Sequence, residues 1–137
     1  MAVVKPVLRI FDYQKAVAHY REWLGFSIDW EHKFDEDAPV YMQVSLGDIV
    51  LHLSEHSGDG TPGTNVFIDN VTGLAAFHQQ LLGKKYKYNR PGLCVPFYDA
   101  SALELVVIDP FHNQLIFVER NGNSAELANG VKSSERL

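Results

Sequence analysis

DYQKAVAHYREWLG, residues 12–25, carries apolar side chains spaced three and four residues apart and therefore predicts one amphipathic helix. Asp12 stands at the N-cap position, and Gly25 stands where the helix is expected to end. The pattern places His19 on the solvent side of this helix. The same cap, apolar stripe and glycine recur in NVTGLAAFHQQLLG, residues 70–83. We therefore expect two copies of one structural module.

Candidate β-strands surround both predicted helices in the same order. One strand precedes each helix, at 7–11 and 65–68. Three more follow each helix, at 26–31, 40–46 and 49–54 in the first module and at 85–88, 103–108 and 114–119 in the second. Residues 89–101, which include two prolines, are expected to form an irregular functional loop. Because strands occur in runs with one helix per module, the pattern favours the α+β class over a doubly wound fold.

Length and composition indicate one soluble domain. The 137 residues fit a single domain at residues 1–120, with modules at 4–56 and 63–120, followed by a polar tail at 121–137. Twelve basic and 17 acidic side chains give a net charge of −5, which argues against a nucleic-acid partner. No apolar run is long enough for a membrane span, and no signal peptide is visible. With one cysteine, Cys94, we predict a cytoplasmic protein without an internal disulfide.

Alternation along the predicted hairpin at 40–54 sorts its side chains onto two faces. One face is apolar and should pack against the helix. The other face is polar and aromatic, and it contains Tyr41, Gln43, Ser45, His52, Ser54 and His56. Such a face is either a solvated surface or, if the sheet curls, the lining of a ligand-binding cleft.

No catalytic constellation emerges from the spacing of the reactive residues. His52 and His56 share a strand face but lie about 13 Å apart at 3.3 Å per residue, too far to hold one metal ion together. The sequence has no Gly-x-Ser-x-Gly elbow and no phosphate-binding loop, and it shows no activating partner for Cys94. Spacing alone therefore predicts no catalytic residue.

Four segments together resemble the glyoxalase/bleomycin-resistance superfamily, whose members are also called vicinal oxygen chelate proteins. They are VLRIFD at 7–12, YREWLGF at 20–26, LHLSEH at 51–56 and DPFHNQLIF at 109–117. The resemblance extends over about residues 4–120. It implies two βαβββ modules that form a curled mixed sheet around a cleft, and a homodimer whose chains build their clefts jointly.

The resemblance also bears on a metal site, because metal-dependent members place one ligand on each of four strands. The matching positions here are Lys5, His52, Gly63 or Thr64, and Ile116. Only His52 is a conventional ligand, so the resemblance implies no metal, no cofactor and no catalytic residue. It favours the metal-free branch, whose members sequester bleomycin-type glycopeptide antibiotics without transforming them.

Two alternative functions stay open on the sequence. One is a metal-dependent glyoxalase or lyase, dioxygenase or thiol transferase, in which His52 is joined by a ligand such as Glu104 or His56. The other is a protein that binds a different small metabolite.

A bleomycin-type ligand is cationic and carries planar heteroaromatic rings, so it requires aromatic walls and negative potential. We expect stacking walls from Trp30, Phe34, Tyr41 and Phe67. Hydrogen bonds should come from Gln43, His52 and Ser54, and negative charge from Asp99 or Glu104.

Overall fold

The structure is a computed structural model that describes residues 1–86, 89–122 and 132–133. In these ranges, no helix combines the length and the hydrophobicity that crossing a membrane requires. The chain divides into two compact units, which are Met1–Val66 with Ile108–Gln114, and Phe67–Val107 with Leu115–Leu137.

The first unit contains a four-stranded mixed sheet. Its strands are β1 (Val7–Arg9), β2 (Ser27–His32), β3 (Tyr41–Leu46) and β4 (Ile49–Ser54), in the spatial order β1-β4-β3-β2. Strand β1 runs parallel to β4, whereas β2, β3 and β4 are antiparallel neighbours. Between β1 and β2, the helix begins as α1 (Tyr13–Ala16) and continues as π-helical turns over Val17–Trp23.

The second module repeats this order of elements. It consists of β5 (Asn65–Ile68), α2 (Leu74–Gly83), β6 (Leu93–Val95), β7 (Leu103–Ile108) and β8 (Gln114–Glu119). Its sheet has the order β5-β8-β7-β6, and β9 (Lys132–Ser133) adds a fifth strand beside β6. Because β5 to β8 follow the same order as β1 to β4, the prediction of an α+β fold built from two βαβββ modules is confirmed.

Burial confirms the two faces predicted for the first hairpin. Five residues of the apolar face are at most 1% exposed, namely Val40, Met42, Val44, Leu51 and Leu53, whereas Leu46 and Ile49, next to the hairpin turn, are half-buried. On the opposite face, Tyr41, Gln43 and His52 are only half-buried. The alternation of strand side chains therefore leaves polar groups of the first sheet accessible.

The first helix differs from the prediction in its pitch. Asp12 caps it as expected, since its side chain accepts the Lys15 N–H. Beyond Ala16, however, the N–H of Leu24 donates to the carbonyl of His19, five residues back, which is the π-helical pattern. His19 lies in this segment and is fully buried. The prediction of a solvent-facing His19 is therefore wrong.

Helix α2 begins three residues later than its predicted start. Its N-cap is Gly73, whose φ of 70° lies in the left-handed region, and Asn70 does not cap it. The N–H groups of Gly73 and Leu74 donate to the Glu119 carboxylate at 3.1 and 3.0 Å. A negative charge from β8 thus satisfies the first turn of the helix, in place of a local cap.

The second strand of the second module lies elsewhere than predicted. Of residues 85–88, the first two are outside any strand and the last two are outside the described residues. Strand β6 instead lies within 89–101, the stretch expected to be irregular, and pairs antiparallel with β7. In the predicted tail at 121–137, Lys132–Ser133 form β9, and residues 123–131 and 134–137 are outside the described residues.

One buried carboxylate holds the turn between β7 and β8. Asp109 accepts the Tyr20 hydroxyl at 2.6 Å, the N–H groups of Phe111 and Asn113 at 2.8 Å, and Nδ2 of Asn113 at 2.9 Å. Asn113 Nδ2 also donates to the carbonyl of Arg9 at 2.8 Å. These bonds join the helix, β1 and the turn within the first unit.

Candidate functional site

A β-bulge in β2 decides which side chains reach the polar face of the first sheet. Ile28 pairs with Val44, a buried residue, whereas Trp30 pairs with Gln43 on the polar face. Regular alternation from Ile28 would send Trp30 to the buried face. The extra residue, Asp29, shifts the register, so that Asp29 and Trp30 both face the polar side.

Three rings form an aromatic cluster on this face, made of Trp30, Tyr41 and His52. Trp30 lies nearly parallel to Tyr41, with ring centroids 6.0 Å apart and an interplanar angle of 10°. The His52 ring meets both edge-on, with centroids 5.4 Å from Trp30 and 5.2 Å from Tyr41. Because Trp30 is 43% exposed, part of its ring is open to a planar ligand.

A chain of hydrogen bonds runs beside the aromatic cluster. Lys5 Nζ donates to Gln43 Oε1 at 3.1 Å, and Gln43 Nε2 donates to the Asp29 carboxylate at 3.0 Å. Ser45 donates to the other oxygen of Asp29 at 2.9 Å. Positive and negative charge therefore stand at opposite ends of the Gln43 amide.

These bonds fix the tautomer of His52. A lysine ammonium can only donate, so the Gln43 atom that Lys5 contacts is the oxygen. His52 Nε2 lies 3.0 Å from the same oxygen and therefore carries the proton, while Nδ1 accepts the Tyr41 hydroxyl at 2.7 Å. The connected side chains, called the polar network below, are Lys5, Asp29, Tyr41, Gln43, Ser45 and His52.

Both members of the Tyr41–His52 pair are neutral at pH 7. Burial, and then the charge of Lys5, lowers the pKa of His52 below its ordinary value. Burial, and then the charge of Asp59, raises the pKa of Tyr41. The folded structure therefore favours the neutral form of both side chains, in which the Tyr41 hydroxyl donates to His52 Nδ1.

The polar network does not fit a metal ion. Both ring nitrogens of His52 are within hydrogen-bond distance of other side chains, and the ammonium of Lys5 lies next to them. In the part of the chain that the structure describes, no three His, Cys, Asp or Glu residues are grouped so that they could hold a metal. Ile116, another position that the family resemblance matches to a ligand, has no ligand atom.

An open cavity of about 840 Å³ lies beside β2 in the first unit. Trp30 is one of its lining residues, and the volume of the cavity is sufficient for a ligand of drug size. The lining residues are Tyr13, Arg21, Phe26, Ser27, Ile28, Trp30 and Glu31.

Two other predicted site residues of the first unit lie outside the polar network. Ser54 is fully buried, donates to Asp59 at 2.8 Å and accepts the His56 N–H at 3.1 Å. Its hydroxyl holds the loop after β4 and is not available to a ligand, which corrects the prediction. Phe34 is 79% exposed, and its ring meets that of His56 edge-on at 6.3 Å.

The remaining three predicted site residues lie in the second unit. Phe67 contacts the Tyr98 ring at a centroid distance of 6.1 Å, and the Tyr98 hydroxyl donates to Glu104 at 2.9 Å. Glu104 is 1% exposed, so it presents no charge to a surface-bound ligand, which is a second correction. Asp99 forms an ion pair with Arg120 at 3.1 Å, which offsets its charge.

Sequence reasoning assigned no binding role to Lys5 and did not find Asp29. The strand alternation that placed Gln43 and His52 was a sufficient signal for those two residues. The position of Asp29 depends on the bulge, for which the sequence carries no signal. The position of Lys5 depends on the parallel pairing of β1 with β4.

The family follows from a comparison with family models, one of which, described as "Glyoxalase superfamily protein", matches residues 1–124. The chain belongs to the glyoxalase superfamily. The resemblance visible in the sequence segments is thereby confirmed. No curated protein matches the chain.

Three solved structures share the glyoxalase-superfamily fold with this chain. A bleomycin-binding protein in complex with bleomycin matches with a TM-score of 0.65 and 20% identity, over 88% of this chain and 99% of the other. A glyoxalase family protein from Enterococcus faecalis matches with 0.65 and 16%, over 86% and 97%. An antibiotic-binding protein from Streptomyces matches with 0.64 and 15%, over 88% and 97%. At these identities the likeness establishes the fold, and the ligand has to be argued from the site.

Proposed function

We propose that this member of the glyoxalase superfamily binds a bleomycin-type glycopeptide antibiotic and sequesters it without metal catalysis. The observation that carries the proposal is the half-exposed Trp30 ring, stacked over Tyr41 on the polar face of the first sheet. A structural relative with the same fold was solved with bleomycin bound. We also expect a homodimer whose chains build their clefts jointly, as the family resemblance implies.

The aromatic cluster supports binding of a planar ring. An offset-stacked aromatic pair contributes about 0.5–1.5 kcal/mol beyond the area that it buries. Tyr41 and His52 contact the Trp30 ring from two directions, so the indole is held in place before a ligand arrives. Such preorganisation lowers the side-chain entropy that binding would otherwise cost.

The charge of the site supports a ligand with cationic groups. The Asp29 carboxylate is exposed and lies next to Trp30 in β2, and the whole chain carries a net charge of −5. In this proposal Asp29 takes the acidic role that the sequence analysis assigned to Asp99 or Glu104. Negative potential near a binding face speeds the approach of a cationic ligand.

Calorimetric titration of the metal-stripped protein with metal-free bleomycin tests the proposal. We expect a dissociation constant in the micromolar range or tighter, about −8 kcal/mol, with about one drug per chain. The protein should return the drug unchanged, which mass spectrometry can verify. Absence of heat at several temperatures would refute bleomycin as the ligand and direct attention to other small metabolites.

Replacing Trp30 by Ala should weaken bleomycin binding at least about tenfold, because the stacking wall is lost. The melting temperature should change by no more than about 2 °C, since Trp30 is not part of the buried core. The matched control is Phe11→Ala, which removes another exposed aromatic ring of the first unit, outside the polar face. Equal affinities for the Trp30→Ala variant and the unmodified protein would exclude Trp30 as a ligand contact.

A further inference from the structure

The backbone that follows Lys5 positions this residue within the polar network. The carbonyl of Pro6 accepts the His52 N–H at 2.9 Å, which attaches this part of the chain to β4. The Lys5 side chain is exposed, and its Nζ reaches Gln43 Oε1 at 3.1 Å. The ammonium is therefore held next to the bond between His52 and Gln43 while it stays accessible to solvent.

Around Lys5, the polar network offers a ligand hydrogen-bond donors rather than acceptors. Gln43 Oε1 already accepts from both Lys5 and His52, and His52 Nδ1 accepts from Tyr41. An ammonium has three N–H donors, and Lys5 uses one of them on a neutral amide. Among the residues that the structure describes, no carboxylate lies within 4.0 Å of the Lys5 ammonium. Lys5 thus offers a ligand two donors and a positive charge that no acidic side chain in the described ranges pairs with directly.

We infer that Lys5 selects, among planar ligands that stack on Trp30, those that carry an acceptor oxygen on the ring, with an ionised carboxylate or phenolate preferred. The inference rests on one part of the proposed function, which is the binding of a planar ring on the aromatic cluster. Trp30 and Gln43 are paired across neighbouring strands, and Lys5 contacts the same Gln43. A ring lying on the indole therefore brings its edge to the ammonium.

The strength of the contact depends on the charge of the oxygen. Hydrogen bonds between an ammonium and an ionised oxygen are shorter and roughly twice as strong as bonds between neutral groups. A ring-borne carboxamide, such as a glycopeptide antibiotic can carry, would occupy the same place with a weaker bond. With a ring that has no acceptor oxygen, the Lys5 ammonium would hydrogen-bond to water instead of to the ligand.

Two matched small aromatic probes, naphthoate and naphthamide, test this selection by calorimetric titration. The unmodified protein should bind naphthoate about tenfold more tightly than naphthamide. Lys5→Met keeps most of the length of the side chain and removes its charge and its donors, so it should abolish the preference and weaken naphthoate binding more than naphthamide binding. Lys5→Arg should retain the preference. The control is Lys33→Met, because Lys33 lies near the Tyr13 ring, outside the polar network.

The outcomes separate this inference from the proposed function. Equal binding of both probes, a preference that persists in Lys5→Met, or no binding of either probe would each overturn the role of Lys5. Trp30-dependent binding of bleomycin would still support the proposed function in those cases. A Lys5-dependent preference for naphthoate in a protein that ignores bleomycin would uphold the Lys5 subsite and exclude the drug.

Discussion

The free energy of unfolding should fall by about 1.4 kcal/mol for each pH unit below 6.5, because His19 resists protonation in the folded protein. The imidazole is fully buried and packs against the rings of Tyr20 and Trp23. Burial lowers the pKa of His19 from 6.5 to about 3. Between these two values the unfolded chain binds one more proton than the folded chain. The contribution of His19 to the free energy of unfolding is therefore fully present above pH 6.5 and is lost progressively as the pH falls.

Urea unfolding at pH 7.5 and pH 5 measures this effect. From this group we expect a loss of about 2 kcal/mol on acidification. His19→Met replaces the ring by an apolar side chain of similar size, so it should remove most of that loss, although its packing will lower stability at both pH values. His32→Gln, at an exposed histidine of β2, should leave the loss unchanged. An equal pH dependence in His19→Met and the unmodified protein would show that His19 titrates normally.

The burial of His19 also shows what a helical pattern in the sequence can predict. The apolar stripe correctly indicated a helix, its cap at Asp12 and the burial of Tyr20 and Trp23. At 3.6 residues per turn the pattern leaves His19 at the edge of the stripe, next to Trp23, whereas residues 17–23 form i→i+5 bonds. The pitch of a helix depends on the packing around it, and a local pattern does not contain that information.

The strands show the same division between local and long-range information. Strands β3 and β4 have six residues each, enough alternation for the sequence to predict them and their two faces. Strand β6 has three residues and offers almost no alternation, so it is defined by its pairing with β7 and β9. The start of α2 likewise depends on Glu119, which is distant in the sequence.

The candidate site combines both kinds of residue. Tyr41, Gln43 and His52 were predicted to share a face, because period-two alternation fixes strand faces. Lys5 and Asp29 complete the polar network through strand pairing and a bulge, which are tertiary features. The sequence therefore predicts a face that can bind an aromatic ring. The positions of the charged groups on that face, which would select the substituents of the ring, follow only from the structure.

Replacing Asp109 by Ala should lower the free energy of unfolding by about 3–5 kcal/mol, the largest loss that we expect from a single substitution. The carboxylate accepts four hydrogen bonds, from the hydroxyl of Tyr20, the N–H groups of Phe111 and Asn113, and Nδ2 of Asn113. Each donor left unsatisfied in a buried place costs about 1–3 kcal/mol, and a water molecule that enters the space would recover part of this. Denaturant unfolding at pH 7 measures the loss.

Asp109→Asn keeps the shape of the side chain and distinguishes hydrogen bonding from packing. Its Oδ1 can accept the two backbone N–H groups, but its Nδ2 would face the Nδ2 of Asn113, donor against donor. Burial raises the pKa of Asp109, so the folded state disfavours its charge, and the neutral amide avoids that cost. We therefore expect a loss of about 1–2 kcal/mol, between that of Asp109→Ala and that of the exposed control Asp37→Ala, which should be near zero. A loss below about 1 kcal/mol for Asp109→Ala would mean that the turn between β7 and β8 does not depend on this carboxylate, and that Tyr20 is held in the core by packing alone.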